Sequence, residues 1–206
     1  MYRWDILQAV TAQRAFGIIR SSTAESAVTA AQAMLDAGLH TVEVALTTPK
    51  ALSAITQLAM TNPGSLIGAG TVLDGAAAKA AIEAGAGFLV SPSLHTEVIR
   101  AGHRYGVPVL PGVSTPTEIV RALEDGADAL KLFPASAFQP RWLADVRAAL
   151  PQAPIVPTGG VTIDNAPEWI SAGAVACGMG SSLASGGTAA AGERVTALLR
   201  QLAHAR

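Results

Sequence analysis

A chain of 206 residues, half of them hydrophobic and 14% charged, has the material for a sizeable core and suits one domain at the low end of the β/α-barrel size range. A formal net charge of −1 gives no ground for a nucleic-acid or anionic-membrane partner, and 4% aromatic residues argue against a platform for stacking bases. The one cysteine, Cys177, has no internal disulfide partner and points to a reducing compartment.

The segment Met1-Tyr2-Arg3-Trp4-Asp5 lacks the basic-then-apolar plan of a signal peptide. No apolar run reaches membrane-spanning length, so a cytoplasmic protein is expected. Tyr2 to about Gln13 reads as an extra helix placed to cap the bottom of a barrel. Eight short apolar runs then alternate with Ala-rich helical segments: Phe16–Arg20, Thr41–Leu46, Leu66–Gly70, Phe88–Pro92, Pro108–Gly112, Ala129–Pro134, Pro154–Thr158 and Ala174–Met179. Near-continuous apolar strands imply a parallel sheet covered by helices. Ser22 with Glu25 reads as a capping box opening one helix, and Thr115, Pro116 and Glu118 as cap, first helical residue and box partner of another. Gly38, Gly85, Gly106, Gly126 and Gly173 each stand where a helix ends before the next strand. Eight strand–helix repeats without a linker predict a closed (β/α)8 TIM barrel with an added N-terminal helix, one α/β domain over residues 1–206.

Of three lysines, Lys50 and Lys79 sit in helical segments, whereas Lys131 interrupts the apolar strand Ala129-Leu130-Lys131-Leu132-Phe133-Pro134. Strand alternation sets Ala129, Lys131 and Phe133 on one face, inward if Leu130 and Leu132 meet the helices. A buried ammonium is costly, and a Schiff-base nucleophile must be a neutral amine. A structural lysine paired to a core carboxylate, or one reaching out at a strand end, is the competing interpretation. Glu43 is the one carboxylate inside any of the eight strands and alternates against Val42 and Val44, so it also faces inward. Together the two fit a nucleophile with a proton shuttle, against a buried pair of purely structural use.

Arg20 ends the first strand, where barrel active sites collect and a guanidinium suits a carboxylate or phosphate. Thr71 follows Gly68-Ala69-Gly70 at the top of the third strand. Thr158-Gly159-Gly160 and Gly178-Met179-Gly180-Ser181-Ser182 end the last two strands, where barrels often hold phosphate on backbone N–H groups. The four histidines, His40, His95, His103 and His204, form no ligand motif, and neither a metal nor a cofactor is expected. Cys177 reads as a small core residue.

Val42-Glu43-Val44 with Leu46 and Thr48-Pro49, Gly68-Ala69-Gly70-Thr71-Val72, Phe88-Leu89-Val90-Ser91-Pro92, Pro111-Gly112-Val113, Lys131-Leu132-Phe133-Pro134-Ala135 and Pro157-Thr158-Gly159-Gly160 occur in this order. The set resembles the 2-dehydro-3-deoxy-6-phosphogluconate (KDPG) aldolase family, which includes phosphogalactonate and 4-hydroxy-2-oxoglutarate aldolases, over about residues 5 to 200. The resemblance implies a metal-independent homotrimer of (β/α)8 barrels. It makes Lys131 the Schiff-base lysine and Glu43 the general acid/base. Thr71, Pro92 and Phe133 become keto-acid pocket residues, and Gly159, Gly160 and Ser181 phosphate-binding positions. Thr47 stands where phosphogluconate aldolases commonly carry an arginine for the substrate carboxylate, and Arg20 could supply that charge; phosphogalactonate aldolases share the departure. Met179 replaces a family glycine after the eighth strand.

The expected activity is reversible cleavage of a 2-keto-3-deoxy-6-phospho sugar acid to pyruvate and glyceraldehyde 3-phosphate. Three alternatives stand beside it: an aldolase for an unphosphorylated 4-hydroxy-2-keto acid, a phosphate-binding isomerase without a covalent lysine, and a sugar-acid sensor.

Overall fold

The structure is a computed structural model that describes residues 2–204; Met1, Ala205 and Arg206, the ends of the expected domain, lie outside the described residues. Helix α1 (Arg3–Thr11) precedes β1 (Ala15–Ile19), and strands and helices then alternate: α2 (Ala24–Asp36), β2 (Thr41–Ala45), α3 (Ala51–Thr61), β3 (Leu66–Gly70), α4 (Gly75–Glu83), β4 (Phe88–Val90) and α5 (Thr96–Arg104). The second half runs through β5 (Val109–Leu110), β6 (Gly112–Val113), α6 (Pro116–Glu124), β7 (Leu130–Leu132), a 3-10 turn Ala135–Ala137, α7 (Pro140–Ala149), β8 (Ile155–Pro157), α8 (Ala166–Ser171), β9 (Cys177–Met179), α9 (Ser181–Ala184) and α10 (Gly187–His204).

All paired strands are parallel. Six form a curved sheet in the order β5-β4-β3-β2-β1-β9, and three form a second sheet in the order β6-β7-β8. The strand expected over Pro108–Gly112 is divided at Pro111, which has no N–H to give to a ladder. Before it, Val109 and Leu110 pair with β4; after it, Gly112 and Val113 pair with β7. The Pro111 carbonyl still accepts the Lys131 N–H at 2.9 Å.

Side chains sort into two layers by strand alternation. Val42, Val44, Leu130, Leu132 and Ile155 pack outward against helices with Ile55, Leu58 and Ile119. Phe16, Phe88, Val90, Leu110, Ala129, Val156 and Ala176 pack inward with Ile6 and Val10 of α1. Phe16 and Phe88 meet edge-on, their centroids 5.8 Å apart. Helix α1 thus closes the end of the sheet where the strands start, as expected. Arg3 fastens it there through an ion pair to Asp128 at 2.7 Å. This filling occupies the interior at the amino ends of the strands.

Local signals account for the element ends. The box at Thr115 forms as expected, with Glu118 accepting the Ser114 and Thr115 N–H groups at 2.8 and 3.0 Å. The first box is displaced by one residue: Thr23, not Ser22, is the cap, and its partner is Ser26 rather than Glu25. Thr23 Oγ1 accepts the Ser26 N–H and Ser26 Oγ accepts the Thr23 N–H, so a serine closes the ring a glutamate was expected to close. The five glycines expected at helix ends all have φ between +73° and +103°.

Candidate active site

Lys131 and Glu43 are central residues of β7 and β2, so their depth is set by strand position rather than by a loop. Both open on one cavity of about 760 Å³, whose wall includes Ile18, Arg20, Phe133, Thr158, Gly159, Gly160, Ser181 and Ser182. A groove of about 450 Å³ between α6 and α7, around Pro116, Val120 and Val146, has no carboxylate, lysine, histidine or cysteine in its wall.

Lys131 is 6% exposed and Glu43 1% exposed. The Lys131 Nζ lies 4.9 Å from the centre of the Phe133 ring, whose π face favours a cation. Register sets Lys131 between Gly112 and Val156, and Glu43 between Ile18 and Gly68. Glu43 occupies space left by a missing side chain, since a Cβ on Gly70 would fall on its Oε1. No ion pair within 4 Å joins Glu43 to Lys131 among the described residues, and Glu43 Oε2 is buried with no hydrogen-bond partner. Burial pushes the Glu43 carboxyl above its ordinary value, while the charges of Lys131 and Arg20 pull it down. A closed structural ion pair would hold the two groups within 4 Å; here both side chains instead line one cavity.

The glycine turns reach the same cavity. Gly159 (φ +82°) and Gly160 (φ +93°) follow β8 in a backbone shape that disfavours a side chain. The turn after β7 is tied to them, the Ala135 N–H donating to the Thr158 carbonyl and the Ser136 N–H to that of Gly159, both at 2.8 Å. Ser182 Oγ donates to the Val161 carbonyl at 2.9 Å, joining the turns after β8 and β9. Arg20, one residue past β1, is exposed and makes no ion pair among the described residues.

Three expected residues lie outside the cavity wall. Thr47 is exposed, and its neighbour Thr48 is the buried one, accepting the Ser21 N–H at 3.2 Å. Thr71, half-buried with φ +60°, and Pro92, whose carbonyl packs against Gly112, stand at the ends of β3 and β4. The cavity leans the other way, towards the ends of β7, β8 and β9, where Phe133, Thr158, Gly159, Gly160, Gly180 and Ser181 line it. The wall also contains Ile18, Val161, Thr162, Ala184 and Ser185, not singled out from the sequence, and the side chains of Thr158 and Ser182, read there only as members of the two glycine turns. Thr158 had a readable signal, since it alternates with inward Val156; its hydroxyl donates to the Val156 carbonyl at 3.4 Å. Cys177 is buried, its thiol pushed up to about 12 by burial, which fits a core residue. No cluster of three or more metal-ligating side chains occurs among the described residues, and no described helix is long and apolar enough to cross a membrane.

A buried lysine and an uncommitted carboxylate facing one cavity, at the carboxyl side of parallel strands in an α/β fold, define an enzyme site suited to imine chemistry. Comparison with known proteins gives the family. The model of the KDPG and KHG aldolases matches residues 6–198, and the chain belongs to that family. It is similar to the 2-dehydro-3-deoxy-6-phosphogalactonate aldolase of Escherichia coli (strain K12), 40% identical over 81% of this chain and 82% of the relative. It is 36% identical to the 2-dehydro-3-deoxy-phosphogluconate aldolase of Treponema pallidum (strain Nichols), over 95% of both chains. Among solved structures it resembles the KDPG aldolase of Legionella pneumophila, which holds pyruvate captured at low pH as a covalent carbinolamine intermediate. That match has a TM-score of 0.81 and 30% identity over 96% of each chain. The protein is an aldolase, an enzyme of the lyase class.

Proposed function

We propose that this aldolase reversibly cleaves a 2-keto-3-deoxy-6-phospho sugar acid to pyruvate and glyceraldehyde 3-phosphate, with Lys131 as nucleophile and Glu43 as proton shuttle. The observation that carries the proposal is the open, unpaired placement of Lys131 and Glu43 across one cavity. The neutral Lys131 amine adds to the C2 carbonyl, and Glu43 gives the proton that lets water leave the carbinolamine. The resulting Glu43 carboxylate takes the C4 hydroxyl proton. The C3–C4 bond breaks, its electron pair moves into the iminium, and the aldehyde departs. The enamine left on Lys131 is protonated at C3, and water hydrolyses the imine to free pyruvate and the amine. A carboxyl whose affinity for protons is raised by burial suits both halves of this exchange. Phe133 faces the Lys131 nitrogen, where it favours the cationic iminium. Arg20 takes the substrate carboxylate, and Gly159, Gly160 and Ser181 the phosphate. Thr71 and Pro92 bound the keto-acid end once substrate fills it, and Thr47 leaves room where relatives carry an arginine.

The phosphogalactonate epimer is placed first. Thr47 offers no charge, as in phosphogalactonate aldolases, and the relative at 40% identity bears that name. The two sheets are taken as one closed (β/α)8 barrel and residues 1–206 as one domain. Support comes from the continuous chain through Pro111, the parallel bridge Thr158–Gly178, and the Val175 N–H donating to the Ile155 carbonyl at 3.0 Å. The family resemblance supports a cytoplasmic homotrimer. Borohydride reduction with pyruvate, followed by intact mass and peptide mapping, tests the nucleophile: a reduced adduct on Lys131 is expected, and an unchanged mass or an adduct on Lys50 or Lys79 defeats the proposal. Turnover of both epimers and of 4-hydroxy-2-oxoglutarate assigns the substrate, and turnover of the unphosphorylated acid alone would overturn the phosphate assignment.

A further inference from the structure

A phosphorylated keto acid brings a carboxylate and a phosphate group of about −1.5 to −2 at pH 7. The cavity wall offers two cationic side chains, Lys131 and Arg20, with Glu43 opposing them. A third cation stands directly behind the wall. Arg194 of α10 reaches back to the segment joining α9 to α10, where its Nη1 donates to the Ser185 carbonyl. Ser185 itself lines the cavity, and its hydroxyl donates to the Ser181 carbonyl at 2.6 Å. A Cβ placed on Gly186 would lie 3.6 Å from both Arg194 Nη atoms, so the guanidinium covers the start of the two-glycine connection. Gly186 and Gly187 have φ of +84° and +87°, and a pair of glycines there gives the wall little stiffness of its own.

Arg194 has no carboxylate partner among the described residues, whose ion pairs join Arg3, Lys79, His103 and Arg141 to acids. A neutral carbonyl takes its hydrogen bond and leaves its charge uncompensated. A planar fork of this kind can hold a carbonyl and still turn its field on an anion beyond it.

We infer that Arg194 is a positioning residue that sets specificity for the phosphorylated end of the substrate. Through the Ser185 carbonyl it holds the Ser181–Ser185 wall, and it adds positive potential to the place where the phosphate group rests. The inference depends on the phosphorylated substrate proposed above.

The test compares wild type, Arg194→Met and Arg194→Lys on the phosphorylated keto acid and on 4-hydroxy-2-oxoglutarate, with inorganic phosphate as inhibitor. The reading is the ratio of kcat/KM for the phosphorylated over the unphosphorylated acid, from which any loss of folded enzyme cancels. Arg194→Met is expected to lower that ratio about five- to tenfold, to weaken phosphate inhibition alike, and to flatten the salt dependence of KM. Arg194→Lys, which keeps the charge, is expected to recover most of the ratio. An unchanged ratio in Arg194→Met, or a lysine variant as poor as the methionine one, overturns the inference. A wild type with no preference for the phosphorylated acid defeats the substrate reading itself, and the inference falls with it.

Discussion

Gly70→Ala adds a single methyl group at the one place where it must collide with the proposed acid. The new Cβ would fall on Glu43 Oε1, and Glu43 is 1% exposed, so its carboxylate has nowhere near at hand to go except into the cavity. Gly70 has no left-handed φ, so alanine meets no backbone penalty there and the effect is one of space. Overpacking of this size costs about 1–3 kcal/mol. In a chain of this length that is roughly 2–12 °C in Tm. The catalytic effect is larger, because positioned acid–base groups contribute about 10²–10⁴-fold. Displacing Glu43 from its slot between Ile18 and Gly68 is expected to lower kcat/KM by about 10²-fold or more. Pyruvate release measures the rate and calorimetry the stability. The double variant Glu43→Ala/Gly70→Ala supplies the control: without the carboxylate, the added methyl should cost less stability than it does in wild type, a coupling of about 1–3 kcal/mol. Gly70→Ala with kcat/KM within about twofold of wild type would refute both the placement of Glu43 and its role.

Three other outcomes are expected. Because burial raises the Glu43 carboxyl in the folded state, that state holds its proton above the ordinary 4.5, and wild-type stability falls as pH rises from there. Glu43→Gln removes this loss, so its Tm advantage over wild type should grow from pH 4.5 upward; an advantage that shrinks with rising pH would contradict the sign. Asp128→Ala removes partners of Arg3 at 2.7 Å, His103 at 3.2 Å and the Val109 N–H at 2.9 Å, and should cost about 2–4 kcal/mol in urea unfolding. Asp128→Asn, which can keep the Val109 bond, should cost less, and equal losses would deny that bond a share. Glu118, held below its ordinary value first by the Ser114 N–H, adds stability that is present above pH 4.5 and is lost as pH falls through its folded value. Glu118→Gln should therefore cost about 0.5–1 kcal/mol at pH 7, with the difference vanishing in strong acid; a cost independent of pH would show that the charge is irrelevant.

The period of the apolar pattern was enough to set a strand in each of the eight expected runs, one of which Pro111 divides in two, to turn Lys131 and Glu43 towards one cavity, and to find the helix at the amino ends of the strands. Those features depend on alternation and on turn chemistry, which are local. The exchange of Thr23 and Ser26 for Ser22 and Glu25 shows the limit of a local rule: two residue pairs met the same pattern one residue apart, and backbone geometry chose between them. Pro111 was visible, but that its strand would serve β4 before it and β7 after it depends on where those strands lie.

What the sequence determined by itself was the alternating α/β order, the two charges buried in apolar strands and, through its ordered motifs, the family. What only the tertiary structure decided was the shape between those charges. It showed that Glu43 and Lys131 stay unpaired, that Gly70 makes the room for the acid, and that the cavity runs towards Thr158, Gly159 and Ser182 rather than Thr71 and Pro92. The reason is physical: alternation states which face a side chain takes, but empty space is set by the side chains that neighbouring strands lack, and those strands are far apart in the chain.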